Sequence, residues 1–163
     1  MTGWLLDTNV LSELRRLNPN PNVVRFVASK PLERLFVSIV TYAEIRFGIE
    51  SVADVAHRTA LNEWLTHKVR PMFEERALPV SEDAMFTWRL LVEGGRTAEH
   101  ICSQADLIIG ATALHHGLTV VPRDPRGFRR SGGAGLRSVA RDRRRIGTGT
   151  ISIKFRLVPS LAA

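Results

Sequence analysis

A chain of 163 residues with 44% apolar side chains is long enough for one domain that buries most of its core, and it holds no apolar run of about 18 residues that would span a membrane. It shows no basic start followed by an apolar export segment, and its single Cys102 excludes an internal disulfide, so a soluble cytoplasmic protein is expected. The net charge of +7 is uneven: residues 122–163 carry eleven Arg/Lys and two Asp, whereas residues 1–121 carry twelve basic and fourteen acidic groups.

The chain opens on Trp4-Leu5-Leu6-Asp7-Thr8-Asn9-Val10-Leu11-Ser12-Glu13, where a short apolar run meets a carboxylate and then takes helical spacing up to Arg16. Asp7 has two readings. It is a helix N-cap, worth about 1 kcal/mol, or it stands outside the carboxyl end of a parallel strand, where open α/β sheets place their ligands. Asn18-Pro19-Asn20-Pro21 is a turn, and Val23 to Val27 form a short helix that Lys30-Pro31 ends. Leu35 to Val40 read as the second strand, followed at once by Thr41-Tyr42-Ala43-Glu44, whose spacing predicts a capping box opening the next helix.

Asp54 starts a longer helix that Pro71 breaks or kinks. Ala77 to Val80 form a short strand, and Ser81 starts a helix whose Met85, Phe86, Trp88, Leu90 and Leu91 have the spacing of core positions. Ser103-Gln104-Ala105-Asp106 again has capping-box spacing, and the helix from Leu107 to Leu114 is apolar nearly all round, which predicts burial. Gly117 ends it, Leu118 to Val121 are a strand, and Asp124 lies just beyond. Alternating short strands and helices predict an α/β fold, a doubly wound and mainly parallel sheet with helices on both faces.

In such a sheet the carboxyl ends of the strands share one edge, so Asp7, Glu44 and Asp124 converge there, and Asp106 joins them if its helix starts at that edge. Gathered carboxylates repel unless protons or cations intervene, and Mg²⁺ or Mn²⁺ are the hard cations that suit oxygen ligands. Singly, Glu44 and Asp106 are also explained as capping-box partners of Thr41 and Ser103, and Asp124 as turn chemistry before Pro125. The five histidines, at 57, 67, 100, 115 and 116, are scattered and show no zinc spacing.

Four blocks in order, Leu5-Leu6-Asp7-Thr8-Asn9-Val10-Leu11-Ser12-Glu13, Ser38-x-x-Thr41-x-x-Glu44-Ile45-x-x-Gly48, Asp106-Leu107-Ile108-Ile109-x-Ala111-Thr112-Ala113 and Thr119-Val120-Val121-x-Arg123-Asp124, resemble the PIN-domain ribonucleases. The nearest subgroup is the VapC-type toxins of type II toxin–antitoxin pairs. The resemblance implies a PIN fold and Mg²⁺-dependent endonucleolytic cleavage of RNA, with Mn²⁺ able to substitute. Asp7, Glu44, Asp106 and Asp124 stand at the family's acidic positions as metal ligands, and Asn9, Ser38 and Thr41 are candidates to orient them. It also implies a homodimer held inactive by a cognate antitoxin seated in a groove.

The resemblance assigns a PIN domain to residues 1–128 and leaves 129–163 as an atypical Arg/Gly-rich tail that lacks the family's closing strand and Asn/Asp-Pro-Trp ending. Two readings of the tail remain. It is an RNA-binding arm, or a shifted reading frame: synonymous codons can be chosen for Arg130 to Arg141 so that reading one base forward gives Ala-Ala-Gly-Val-Arg-Val-Phe-Asp-Pro-Trp-Arg, which the encoding DNA tests directly. Two other functions fit parts of the pattern. An inactive protein that binds antitoxin or RNA suits the odd tail, while a phosphoacceptor receiver domain requires a Lys that does not follow the late strand.

Overall fold

The computed structural model describes residues 3–95 and 103–121. Strand β1 (Trp4–Leu6) leads directly into α1 (Thr8–Leu14), and α2 (Pro21–Ala28) follows a cap in which the Asn20 side chain accepts from the Asn22 N–H. One 3₁₀ turn precedes β2 (Leu35–Ser38), and α3 spans Ile39–Glu50. Asp54 caps α4 (Val55–Trp64) by accepting from the His57 N–H at 2.6 Å, as its sequence position predicts. A π-helical stretch, Leu65–Val69, then joins α5 (Arg70–Met72). Pro71 has no N–H to continue the α-helical ladder, so the break expected there takes the form of a widened turn followed by a fresh start.

Strand β3 (Ala77–Leu78), α6 (Glu82–Gly95), α7 (Gln104–His116) and β4 (Thr119–Val121) complete the described fold. Gly117 ends α7 in the left-handed conformation (φ 66°), where a side chain would be strained. The four strands are parallel in the order β3-β2-β1-β4, so the chain moves outward from β1 to one side and returns to its other side with β4. The topological switch lies between β1 and β4, and the edge beyond them is where Asp7 stands.

Pleating divides the core in two. Leu6, Leu35, Val37 and Val121 face one side, with Val10, Leu11, Val23, Ile45, Ile49 and Phe73, while Leu5 faces the other, with Phe36, Val120, Ile109 and Ala113. Helices therefore cover both faces, as the sequence predicts. Gly3 is where the chain enters the sheet: a Cβ there would lie 2.6 Å from Leu118 Cδ2 and 2.9 Å from Phe36 Cε2, so any other residue would make these side chains shift.

Two expectations are corrected. The second strand stops at Ser38 rather than Val40, and α3 is capped by Ser38, three residues before the Thr41 cap read from the sequence. Pairing with β3 ends at Ser38–Leu78, and the buried Ser38 side chain caps the helix by accepting from the Val40 N–H at 3.2 Å. The second concerns α6. Met85, Phe86 and Leu90 were expected in the core, yet Phe86 is 63% exposed and Leu90 43% exposed, while Ala84 and Leu91 face inward. Helical spacing identifies a face, but the packing partner selects which one is buried.

Candidate active site

Asp7 occupies the N-cap position of α1 with extended backbone angles, but its side chain makes no capping hydrogen bond. Its backbone N–H instead reaches Val121 O at 3.3 Å, which ties the corner to the end of β4. The capping explanation of this carboxylate is therefore removed. Its carboxyl titrates above the ordinary Asp value, chiefly because burial disfavours the charged form, and the charges of Asp106 and Glu44 push it the same way. The Asn9 side-chain amide, donating to Asp7 Oδ2 at 3.4 Å, and the Thr8 backbone N–H oppose the rise.

Two of the other predicted acids thus act on Asp7, Asp106 from 99 residues away in sequence and Glu44 from 37. The structure separates the two local explanations offered for the other two. Ser103 and Asp106 do form a reciprocal capping box, with the Asp106 N–H donating to Ser103 Oγ at 3.1 Å and the Ser103 N–H to Asp106 Oδ2 at 3.3 Å. Asp106 remains exposed at the start of α7. It caps its helix and also presents charge toward Asp7. Thr41 and Glu44 form no such box, because the helix they were expected to open begins at Ile39. Glu44 sits in the second turn of α3, half-buried, and its carboxylate Oε2 accepts the hydroxyl proton of Thr8.

The candidate orienting residues divide likewise. Asn9 contacts Asp7 as predicted. Ser38 Oγ accepts from the Val40 N–H as the cap of α3, which uses a lone pair and leaves its O–H as a donor. Thr41 Oγ1 is buried with no hydrogen-bond partner among the described residues. Thr8 was missed as a site residue. It lies beside Asp7, but nothing local announces a partner 36 residues away. Asp124, and the tail of residues 129–163, lie outside the described residues.

Among the described residues no three His, Cys, Asp or Glu side chains gather as a closed ion cage. The donor set fits Mg²⁺ or Mn²⁺ in another way. Such ions keep several waters and are held by one or two carboxylates, and Asp7 and Asp106 supply a mutually repelling pair of hard oxygen donors with Glu44 behind them. Elsewhere, His115 and His116 pack edge to face at 4.8 Å, and burial with the neighbouring imidazole lowers the His116 pKa; among the described residues no third ligand joins them.

Residues 4–133 match the PIN domain family. The chain is 34% identical over 128 residues to a VapC ribonuclease, Y4jK, from Sinorhizobium fredii, covering 78% of this chain and 91% of that protein. It is 36% identical over 124 residues to toxin FitB from Neisseria gonorrhoeae, covering 76% and 89%. The crystal structure of FitAcB from the same organism superposes with a TM-score of 0.69 at 35% identity, covering 79% of this chain and 93% of that one. VapBC-5 of Mycobacterium tuberculosis, a member of the VapBC family of toxin–antitoxin systems, superposes with a TM-score of 0.54 at 27% identity, covering 82% and 92%. With the parallel sheet, the acids at its switch point and these similarities together, the chain belongs to the PIN-domain family, among its VapC-type toxins.

Proposed function

We propose that this protein is a metal-dependent endoribonuclease toxin that hydrolyses RNA phosphodiesters in the cytoplasm and is restrained by a cognate antitoxin. The observation that carries the reading is Asp7: a carboxylate at a helix start that does not cap, is raised by burial, and faces the charges of Asp106 and Glu44. A protein has little reason to leave such repulsion in place unless a cation offsets it. Similarity to a VapC ribonuclease supports RNA as the substrate.

Asp7 and Asp106 would hold Mg²⁺ or Mn²⁺, with Glu44 and Asp124 completing the acidic set. When bound, the metal supplies an activated water and neutralises charge on the departing oxygen. The chain's own contribution is positional. Asn9 turns the Asp7 carboxylate, the capping box sets the direction of Asp106, and the switch point leaves the edge of the sheet open to a phosphodiester.

The test is incubation of the full chain with a mixed RNA pool and Mg²⁺ or Mn²⁺. Cleavage is expected, and is lost with EDTA and in the Asp7→Asn/Asp106→Asn double variant. Absence of cutting by folded protein would overturn the reading and favour an inactive PIN protein.

A groove supports the antitoxin part of the proposal. Leu11, Leu14 and Arg15 of α1 face Trp64, Val69 and Met72 of the α4–α5 arm across a cavity of about 220 Å³, with Lys68 and Arg15 supplying cations. It suits a segment with apolar anchors flanked by acidic side chains. VapBC-5, itself a member of a toxin–antitoxin family, shares the fold. Met72 is 48% exposed, so Met72→Glu leaves the fold intact. Placing an unpaired charge against the apolar anchors weakens antitoxin binding by about tenfold or more in an anisotropy titration. Unchanged affinity would remove the groove from the interface. A homodimer is proposed alongside, supported by the resemblance and by the exposed apolar Met85, Phe86 and Leu90 of α6.

A further inference from the structure

We propose that Thr8 is a positioning residue: its hydroxyl holds the Glu44 carboxylate in place at the acidic edge. The inference rests on the metal-dependent reading above and deepens it.

Threonine hydroxyls inside helices usually donate to a carbonyl of the preceding turn, and three helical threonines here do so, whereas Thr41, like Thr8, sits in the first turn of its helix and does not. Thr59 donates to Val55 O at 2.9 Å, Thr87 to Asp83 O at 2.9 Å and Thr112 to Ile108 O at 2.8 Å. Thr8 cannot. It is the first residue of α1, four residues after Trp4, which lies in β1 with its carbonyl in the sheet. Its hydroxyl is therefore available, and it is spent on Glu44 Oε2 across the contact between α1 and α3.

Asn9, the next residue, donates to Asp7 Oδ2. Two consecutive side chains in the first turn of α1 thus each hold one acid, on two different elements. Glu44 has no other hydrogen bond among the described residues, none of which donates to Oε1. A flexible glutamate held by one oxygen presents the other in a defined direction. A hydrogen-bonding neighbour does this for a ligating carboxylate, and loss of such a neighbour typically lowers metal affinity by 10–100-fold.

The test measures Mn²⁺ binding by the full chain without RNA, by titration calorimetry, in wild type, Thr8→Val, Thr8→Ser, Glu44→Gln and Thr8→Val/Glu44→Gln, with melting curves confirming folding. Thr8→Val keeps the shape and removes the donor. It is expected to weaken Mn²⁺ binding by about tenfold, while Thr8→Ser restores it to within about threefold of wild type. In the Glu44→Gln background, Thr8→Val should add little, because its effect passes through Glu44. Wild-type affinity in Thr8→Val, or the same loss with and without Glu44, would overturn the role of Thr8 while leaving the metal site standing. No Mn²⁺ binding by the wild type would overturn both.

Discussion

Asp7→Asn is expected to abolish RNA cleavage while raising the melting temperature of the metal-free protein at neutral pH. The activity loss should reach about a thousandfold, because several kcal/mol of metal-supplied stabilisation is lost and each 1.36 kcal/mol is about tenfold in rate. The gain in stability follows from the sign of the Asp7 shift. Burial, then the charges of Asp106 and Glu44, hold its folded pKa above the ordinary 3.8, against the opposing pull of Asn9.

An acid whose folded pKa is raised stabilises the protein only below its unfolded pKa, and that stability is lost as pH rises through the folded value. As Asp7 ionises with rising pH the wild type takes on the penalty, and the Asn variant takes on none. The two melting temperatures should therefore coincide near pH 3 and diverge upward from about pH 4, each kcal/mol relieved being worth about 2–4 °C in a domain of this size. Adding Mg²⁺ raises the wild type by ligand linkage and leaves the variant nearly unmoved. Thermal melts from pH 3 to 8, with and without Mg²⁺, check all three points. A metal-free variant no more stable than wild type at pH 7 would show that Asp7 bears no electrostatic load.

Leu5→Ala should be the most damaging single core truncation near the site. Leu5 is fully buried in β1, between β2 and β4, and packs with Ile109 and Ala113 of α7, Phe36 and Val120. Removing three carbons there costs about 2–5 kcal/mol, a large part of the ~5–15 kcal/mol that holds an ordinary domain. A urea titration should show a lower midpoint with an unchanged slope. Mg²⁺ should raise the midpoints of variant and wild type alike by ligand linkage and leave the difference between them unchanged, since the cavity does not touch the ligating carboxylates. A cost below about 1 kcal/mol would mean that α7 collapses onto the strand, and Asp106 in its first turn would then shift with it.

The contrast between the two predictions reflects how different parts of the chain were readable. The alternation of Leu5 and Leu6, Phe36 and Val37, Val120 and Val121 announces a sheet with two covered faces, and the structure places each pair on opposite sides. Asp54, Ser103 and Gly117 were legible as helix ends because capping is a contact within a few residues. Thr41-x-x-Glu44 has the spacing of Ser103-x-x-Asp106, yet only the second is a capping box. What separates them is not local: β2 loses its partner at Ser38, and the helix begins there. The exposed face of α6 was misread for a related reason, since Phe86 and Ala84 both satisfy helical spacing and only the packing of α6 against α7 chose between them.

By itself, then, the sequence determined the parallel α/β class, the position of the switch-point carboxylate Asp7 at the end of an apolar strand, and the identity of Glu44 and Asp106 as acids worth attention. These are properties of short segments, set by side-chain period, caps and turn chemistry. Only the tertiary structure decided that Asp7 does not cap, that Ser38 does, and that Thr8 rather than a helix start engages Glu44. Each of those outcomes depends on which group lies opposite across a strand or helix contact. Such a neighbour is fixed by the order β3-β2-β1-β4 and the packing of α1 on α3, not by the residues on either side.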